Sequence, residues 1–497
     1  MRLLTSVLAA LITSPLLAQD LAIENATLVS PERDTPVEGL TVLVGDGRIL
    51  GIQPASIPHQ AERVIDAERQ YLTPGLIDSH VHLYHATGLR PGLVERERAL
   101  ALQEAYFEQM PRSYLYWGFT TLVELNADFE TNRAFEAAPI RPRLFHCGEG
   151  LMTSNGFMAH QAHLPVEDAF PNFLHDRHVT PELPEGFDPA EHTPAATLET
   201  IQASGGICVK IYFEDAPWMP NGPEWPLPSQ AIFSEVVREA RERGLTVFLH
   251  GTTPAAHRMG LAAGVDVMAH GPWDMPVDLL EPIAPPMMFE LADDIAEAGL
   301  QLQPTIRTLG QTRSMFEPDI LQDADWLDVV PSSYVEFLRT DAQPQRDTLI
   351  EVILGNRLDE ALIPHLMDGY QGRYQQFLRY LATNSDALVF GTDTAVGTFG
   401  WGNPPGLNGH WEMRELAEAG ISPADILDMA TQRNAETLNL ADEIGTIEVG
   451  KRADLLLMQD NPLRSIDAYR SITTVILNGA PMDRAGLSAR HYEETDQ

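Results

Sequence analysis

From position 21 the apolar residues come in short runs broken by polar turns. LAIENATLV and TVLVGDGRILGI read as strands, with Gly-Asp-Gly as a turn between apolar runs. The same texture returns near the far end, in GTIEVGKRADLLLM and ITTVILNGAP. Between these segments, short apolar runs alternate with stretches at helical spacing, the signature of a parallel α/β architecture. Strands are expected at 76–79, 120–125, 143–147, 207–213, 246–249, 265–269, 300–305 and 387–390, with helices between them, for example at 233–243 and 289–298. Two connecting intervals are unusually long. Residues 151–193, rich in Pro, His and aromatics, follow the third strand, and 307–380, helical in pattern, follow the seventh.

Composition narrows the class. At 497 residues, with 44% apolar residues, the chain is long enough for a large domain and a smaller one. The formal net charge of −38 repels nucleic acid and anionic membranes, so polyanion partners are not expected. MRLLTSVLAALITSPLLAQD has one Arg2, an apolar run over 3–12 and small or apolar residues up to Ala18-Gln19. That reads as a secretory signal peptide over 1–18, cut after Ala18, and implies a periplasmic or secreted protein. No other stretch approaches about twenty apolar residues, so no membrane insertion is expected after cleavage. Cys147 and Cys208 pair in an oxidising compartment or are two small buried residues, and the sequence favours the second reading. Association with further copies of the chain is left open.

The chemistry centres on residues 71–83, YLTPGLIDSHVHL. Side chains alternate along a strand, so His80 and His82 share one face at its end and can grip one divalent cation. Lys210 stands inside the apolar strand GICVKIYFED, where an uncompensated ammonium is costly. Of the 33 basic residues only Lys210 and Lys451 are lysines. Arginine would serve for charge, but only an amine loses its proton on burial and reacts as a nucleophile. Tyr212 shares the face of Lys210. VFLHG and VMAHG end apolar strands in His250 and His270, each followed by Gly, and Asp393 closes LVFGTDTAVG. Taken singly, each of these is an ordinary polar residue at a strand end.

As an ordered set they resemble the amidohydrolase superfamily, in the branch that includes imidazolonepropionases and prolidases with a carboxylated lysine. TPGLIDSHVH resembles that family's first barrel strand, and EMRELAEAGISPADILDMATQRNAETLNL with IGTIEVGKRADLLLMQDNPL resembles its C-terminal helices and return to the β-domain. The resemblance implies a TIM (β/α)8 barrel over 73–439 and a small β-sandwich formed from 19–72 and 440–485. The count of eight strands leans on it, because short apolar runs are ambiguous on periodicity alone.

The resemblance further implies two divalent ions, with zinc the default and manganese, iron or cobalt fitting the same ligands. His80, His82 and Asp393 would hold one, and His250 and His270 the other. A CO₂-derived carbamate on Lys210 and a hydroxide would bridge them, with Asp393 shuttling the proton. The implied reaction is hydrolysis of an amide or peptide-type bond, in a dipeptide or N-acyl amino acid. A lactone or phosphotriester hydrolase uses the same site. A mononuclear deaminase would leave Lys210 unexplained, and a non-catalytic binding protein would keep the barrel without turnover. His160, Arg307 and Tyr212 are the candidate substrate contacts. His85, His163, His175 and His178 read as residues of polar loops, and His410 and Glu412 receive no role.

Overall fold

The computed structural model describes residues 19–491 except 91, 155, 158–170, 181, 184, 217–222, 224, 275–280, 282, 315–318, 345, 349–362 and 396–401. The signal-peptide reading over 1–18 and the histidines 160 and 163 lie outside the described residues. Among the described residues, no helix is long and apolar enough to cross a membrane.

The chain opens with β1 (Leu21–Leu28), β2 (Val37–Gly45), β3 (Arg48–Pro54), β4 (Arg63–Asp66) and β5 (Tyr71–Pro74). It then runs through β6 (Leu76–Val81), β7 (Phe119–Glu124), β8 (Arg143–His146), β9 (Cys208–Tyr212), β10 (Thr246–His250), β11 (Val267–Met268) and β12 (Gln301–Leu302). It closes with β13 (Leu455–Met458), β14 (Ile472–Leu477) and β15 (Ala480–Asp483). The first and last groups pair as a single mixed sheet, in the order β15-β14-β13-β5-β1-β2-β3. The small β-domain expected from the two termini is thus built on one hydrogen-bonded sheet that forks at β1. The first half of β1 pairs with β4 and its second half with β5, with Asn25 at φ 54 between them. Apolar residues from both ends of the chain, including Leu21, Ile23, Val42, Leu455 and Ile476, fill its core.

The middle strands run parallel in two sheets, β6-β7-β8 and β9-β10-β11-β12. Backbone hydrogen bonds join them. Ile207 N donates to His146 O at 3.0 Å, and Leu151 N to Lys210 O at 2.8 Å. On the other side, Leu302 N donates to Ala387 O at 2.8 Å, and Asp393 N to His80 O at 2.8 Å. The path returns to its start through the segment expected as the eighth strand. That segment is not a regular strand: Leu388 and Thr394 make isolated parallel bridges to Leu302 and Val81. Its departure has a steric cause. It passes over His80 at Gly391, where a Cβ would meet that of His80 at 2.8 Å, and Asp393 then turns to φ 59.

Alternation along the strands separates inside from outside. Val209, Ile211, Val247 and Leu249 pack with Ile232, Phe233, Val236 and Ala240 of the helix Gln230–Arg243. Cys208, Val123, Phe248, Val267 and Val389 form a separate interior cluster, capped by Leu438 and Ile444. Lys210 shares the interior side with Cys208, and His250 shares it with Phe248. Helices begin where expected chemistry sits: Ser229 and Thr253 accept hydrogen bonds from Ile232 N and Ala256 N, and Gly244 and Gly264 end their helices at φ 68 and 76.

Cys147 and Cys208 are joined as a disulfide, contrary to the favoured sequence reading. Residues 61 apart in sequence fall side by side because β8 and β9 are neighbours in the ring. The bond ties together the segment joining the two parallel sheets, directly below Lys210. Closing a loop of that length restricts the unfolded chain, so the double substitution Cys147→Ala/Cys208→Ala should cost about 2–4 kcal/mol. Thermal melting of the oxidised parent beside the variant measures this, and an unchanged melting temperature would rule out a stabilising crosslink.

Candidate metal centre

His80, His82 and Asp393 form a tight group whose ligand atoms all lie within 4.8 Å of one another. Both imidazoles aim Nε2 at the same carboxylate oxygen: Asp393 Oδ1 lies 3.1 Å from His80 and 3.0 Å from His82. Lys210 Nζ lies 3.2 Å from His80 Nε2. The second pair of histidines stands beside this group. The rings of His250 and His270 are 4.7 Å apart, and that of His270 is 5.2 Å from that of His80. The six residues singled out as metal ligands in the sequence thus meet at one end of the ring, drawn from β6, β9, β10, the end of β11 and the eighth segment. Three form the compact ligand group and three flank it.

Burial decides the charges here. Lys210 is 1% exposed, and burial pulls its ammonium down to about 7, against the opposing pull of Asp393 and Glu124. Burial and the neighbouring Lys210 push His80 down to about 3. For His82 burial works in the same sense, but hydrogen bonds to Asp393 and Glu124 outweigh it and raise the imidazole to about 9. Burial would raise Asp393, yet the interaction with His80 and the hydrogen bonds from both imidazoles hold it well below the usual carboxylate range. The donor set fits divalent cations. Imidazole nitrogens and a carboxylate converge on one point, and the Nδ1 of His80 is buried with no hydrogen-bond partner.

Several residues behind the ligands were not foreseen. Glu124, at the end of β7 and fully buried, meets His82 Nδ1 at 3.2 Å and accepts from Asn126 N at 2.9 Å. Glu214 meets His250 Nε2 at 3.2 Å. Thr305 Oγ1 lies 2.9 Å from His270 Nδ1. Carboxylates that end apolar strands, as in TTLVE and KIYFE, are the signal that marks the first two. Asp78, two residues before His80, is pushed up to about 7 by burial and is tied to Thr392 Oγ1 at 2.7 Å.

The candidate substrate contacts divide. Tyr212 stands at the site, its ring 5.3 Å from that of His250 and 5.8 Å from Lys210 Nζ. His160 lies outside the described residues. Arg307 does not serve as expected: it is 6% exposed, and its guanidinium donates to Asn408 Oδ1, Ser314 Oγ and Gly402 O while lying over Trp411. Charge that needs compensation in a buried place has taken the side chain inward. Glu412 belongs to the same network, accepting from Ile306 N and Arg307 N at 3.0 and 2.8 Å and so capping the helix Ile306–Ser314. His410 is buried and stacked on Trp117 at 4.4 Å. His175 is bonded to Thr180 O at 2.8 Å. His85 packs against the ring of Tyr84 at 4.1 Å in a tilted arrangement, and burial lowers its imidazole to about 4.

Two outcomes follow from these contacts. Glu124→Gln, which weakens the hold on His82, should lower metal affinity by about 10–100-fold in chelator competition while leaving the melting profile close to the parent's. Burial raises Glu412 to about 8 from the ordinary 4.5. The folded chain therefore keeps a proton that the unfolded chain releases, and this stabilisation is full below pH 4.5 and lost as pH rises through 8. Between pH 6 and 8, Glu412→Gln should accordingly lose less stability than the parent, by an amount on the order of 2 kcal/mol. Denaturant melts at the two pH values test it, and parallel losses would contradict it.

Sequence and structure comparisons bear on the whole arrangement. Residues 373–482 match the model of the amidohydrolase family. The adenine deaminase 2 of Latilactobacillus sakei subsp. sakei (strain 23K) is 42% identical over 67 residues, 14% of this chain and 11% of that protein. The 5-methylthioadenosine/S-adenosylhomocysteine deaminase of Desulforudis audaxviator (strain MP104C) is 40% identical over 129 residues, 22% of this chain and 30% of that protein. The chain thus matches less than a third of the length of either curated relative. A crystal structure of a Xaa-Pro dipeptidase with methionine bound in its active site is similar over 93% of this chain and 99% of that one, with a TM-score of 0.62 and 20% identity. That likeness concerns the fold, a TIM barrel with a β-rich domain. The family match in sequence thus lies in the C-terminal part of the chain, and the likeness over the whole chain is one of fold.

Proposed function

We propose that the protein is a metal-dependent hydrolase that cleaves an amide or peptide-type C–N bond in a small substrate, with dipeptides and N-acyl amino acids as the leading class. The observation that carries the reading is Lys210. Among the described residues its buried amine has one hydrogen-bonding contact, His80 Nε2, and no carboxylate within ion-pairing distance. An amine lowered to about 7 has its neutral form well populated, about half, near neutral pH. The neutral form adds to CO₂, losing a proton as the N–C bond forms, to give a carbamate anion whose buried negative charge a bound cation would balance. His80, His82 and Asp393 would hold one cation and His250 and His270 a second, with the modified Lys210 as a further ligand. Such cations lower the pKa of a water and polarise the oxygen of the scissile bond.

The chain's own residues account for the proton traffic. Asp393, held ionised, takes the proton released as water attacks the carbonyl carbon. It returns that proton to the amine nitrogen when the C–N bond breaks. Glu124 and Glu214 orient His82 and His250 from behind. The phenol of Tyr212, kept protonated by burial, faces the same space as a hydrogen-bond donor. Support for a dipeptide comes from the fold shared with the Xaa-Pro dipeptidase. The short sequence matches to deaminases favour a second reading, deamination at a single ion, in which Lys210 would have no chemical part. We further propose action in an exported, oxidising setting, a reading supported by the disulfide.

The test is expression with added bicarbonate, followed by metal analysis per chain and assays on dipeptides, N-acyl amino acids, lactones, phosphotriesters and aminopurines, beside Lys210→Ala. About two ions per parent chain, fewer in the variant and a loss of C–N hydrolysis of roughly a thousandfold or more are expected. One ion in both proteins with activity retained would sink the carbamate and favour the deaminase reading.

A further inference from the structure

A cleft of about 490 Å³ opens between the helices Phe129–Glu136 and Pro194–Ala203, past the ends of β7 and β8. None of the six candidate metal ligands lines it. Its notable member is Asn132, in the interior of the first helix and 2% exposed. Both polar atoms of its amide, Oδ1 and Nδ2, are buried with no hydrogen-bond partner. Buried amides are ordinarily paired, so this one is arranged for a group that enters from the cleft and both donates and accepts.

Other polar groups in the wall are already engaged. His192 bonds Phe173 O through Nδ1 at 3.1 Å and stacks on the ring of Phe173, Asn172 Nδ2 donates to Thr197 O, and Ser204 Oγ to Ile201 O. Among the described residues, the acidic side chains in the lining are Glu149 and Glu191, and neither lysine nor arginine lines it. Anions are therefore repelled and cations attracted. Phe129, Pro171 and Ile201 supply an apolar wall.

We propose that this cleft is a second binding site, for a small organic cation that combines a primary ammonium with a neutral hydroxyl or amide group. The neutral group pairs with both atoms of the Asn132 amide. The ammonium lies against Glu149 and Glu191, and the apolar body of the ligand covers Phe129 and Ile201. The site stands apart from the hydrolytic reading, because no residue is shared with the metal centre.

L-Leucinol is a suitable probe: it carries the ammonium, a hydroxyl and an apolar body, and has no amide or ester bond to be cleaved. Calorimetric titration of the metal-loaded full chain should show saturable binding to one site, with free leucine weaker because its carboxylate meets the two glutamates. Asn132→Leu and Glu149→Gln should each weaken leucinol by roughly tenfold, the loss expected when a buried hydrogen bond or a charge partner is removed, with turnover at the metal centre unchanged. If Asn132→Leu fails to fold, Glu149→Gln alone decides the matter. No saturable binding, or equal binding by parent and variants, would overturn the proposal and leave a trapped water as the partner of Asn132.

Discussion

A lysine amine buried at the mouth of a barrel, with no carboxylate paired to it among the described residues, is the constraint around which this molecule is arranged. A fully desolvated ammonium without a counter-ion is too costly to keep, so the group must shed its proton or be converted to something else. Its surroundings suit both courses. His80 is driven neutral beside it, Asp393 is held ionised one contact further on, and the remaining histidines stand close enough to share a cation. The unusual protonation states are thus consequences of one another. Lys210 helps suppress charge on His80, and the two imidazoles help keep Asp393 charged.

The same backbone bonds that close the ring also assemble the site. Asp393 N donates to His80 O, His82 N to Thr394 O, and Ala395 N to His82 O. Asp78, Thr392 and Thr394 then brace the join from within: Asp78 accepts from Thr392 N and Oγ1, and Thr392 Oγ1 meets Thr394 Oγ1 at 2.6 Å. This explains why the eighth segment gives up regular strand geometry. A straight strand would carry Asp393 past the histidines, whereas the left-handed backbone at Asp393 brings its carboxylate between them. Opposite the join, the disulfide secures the place where the two parallel sheets meet. Crosslink and closure together fix β6 and β9, the strands bearing His80 and Lys210.

Charge in the interior is handled by two different devices. Near the metal centre, carboxylates are set behind imidazoles, as with Glu124 on His82 and Glu214 on His250, so each histidine has one nitrogen oriented from the rear. Beyond it, Arg307 and Glu412 are drawn into a network with Asn408, Ser314 and a helix N-terminus. The first device orients groups for chemistry and the second braces the long helical interval against the barrel. An arginine just after a strand reads the same in either case, and only its neighbours tell the two apart.

What the sequence by itself determined is local and periodic. The alternation of short apolar runs, the histidines one residue apart in TPGLIDSHVH, and the single lysine inside an apolar strand are all legible in the chain. So are seven of the eight barrel segments as strands, and the matching texture of the two termini. These survive because side-chain alternation and the cost of burying charge act over a few residues. The partners across the ring were settled only by tertiary structure. The meeting of Cys147 with Cys208, the forking of one sheet at β1, the inward turn of Arg307 and the unpaired amide of Asn132 depend on which strands and helices become neighbours. No local pattern encodes a neighbour dozens or hundreds of positions away; the packing of the whole ring decides it.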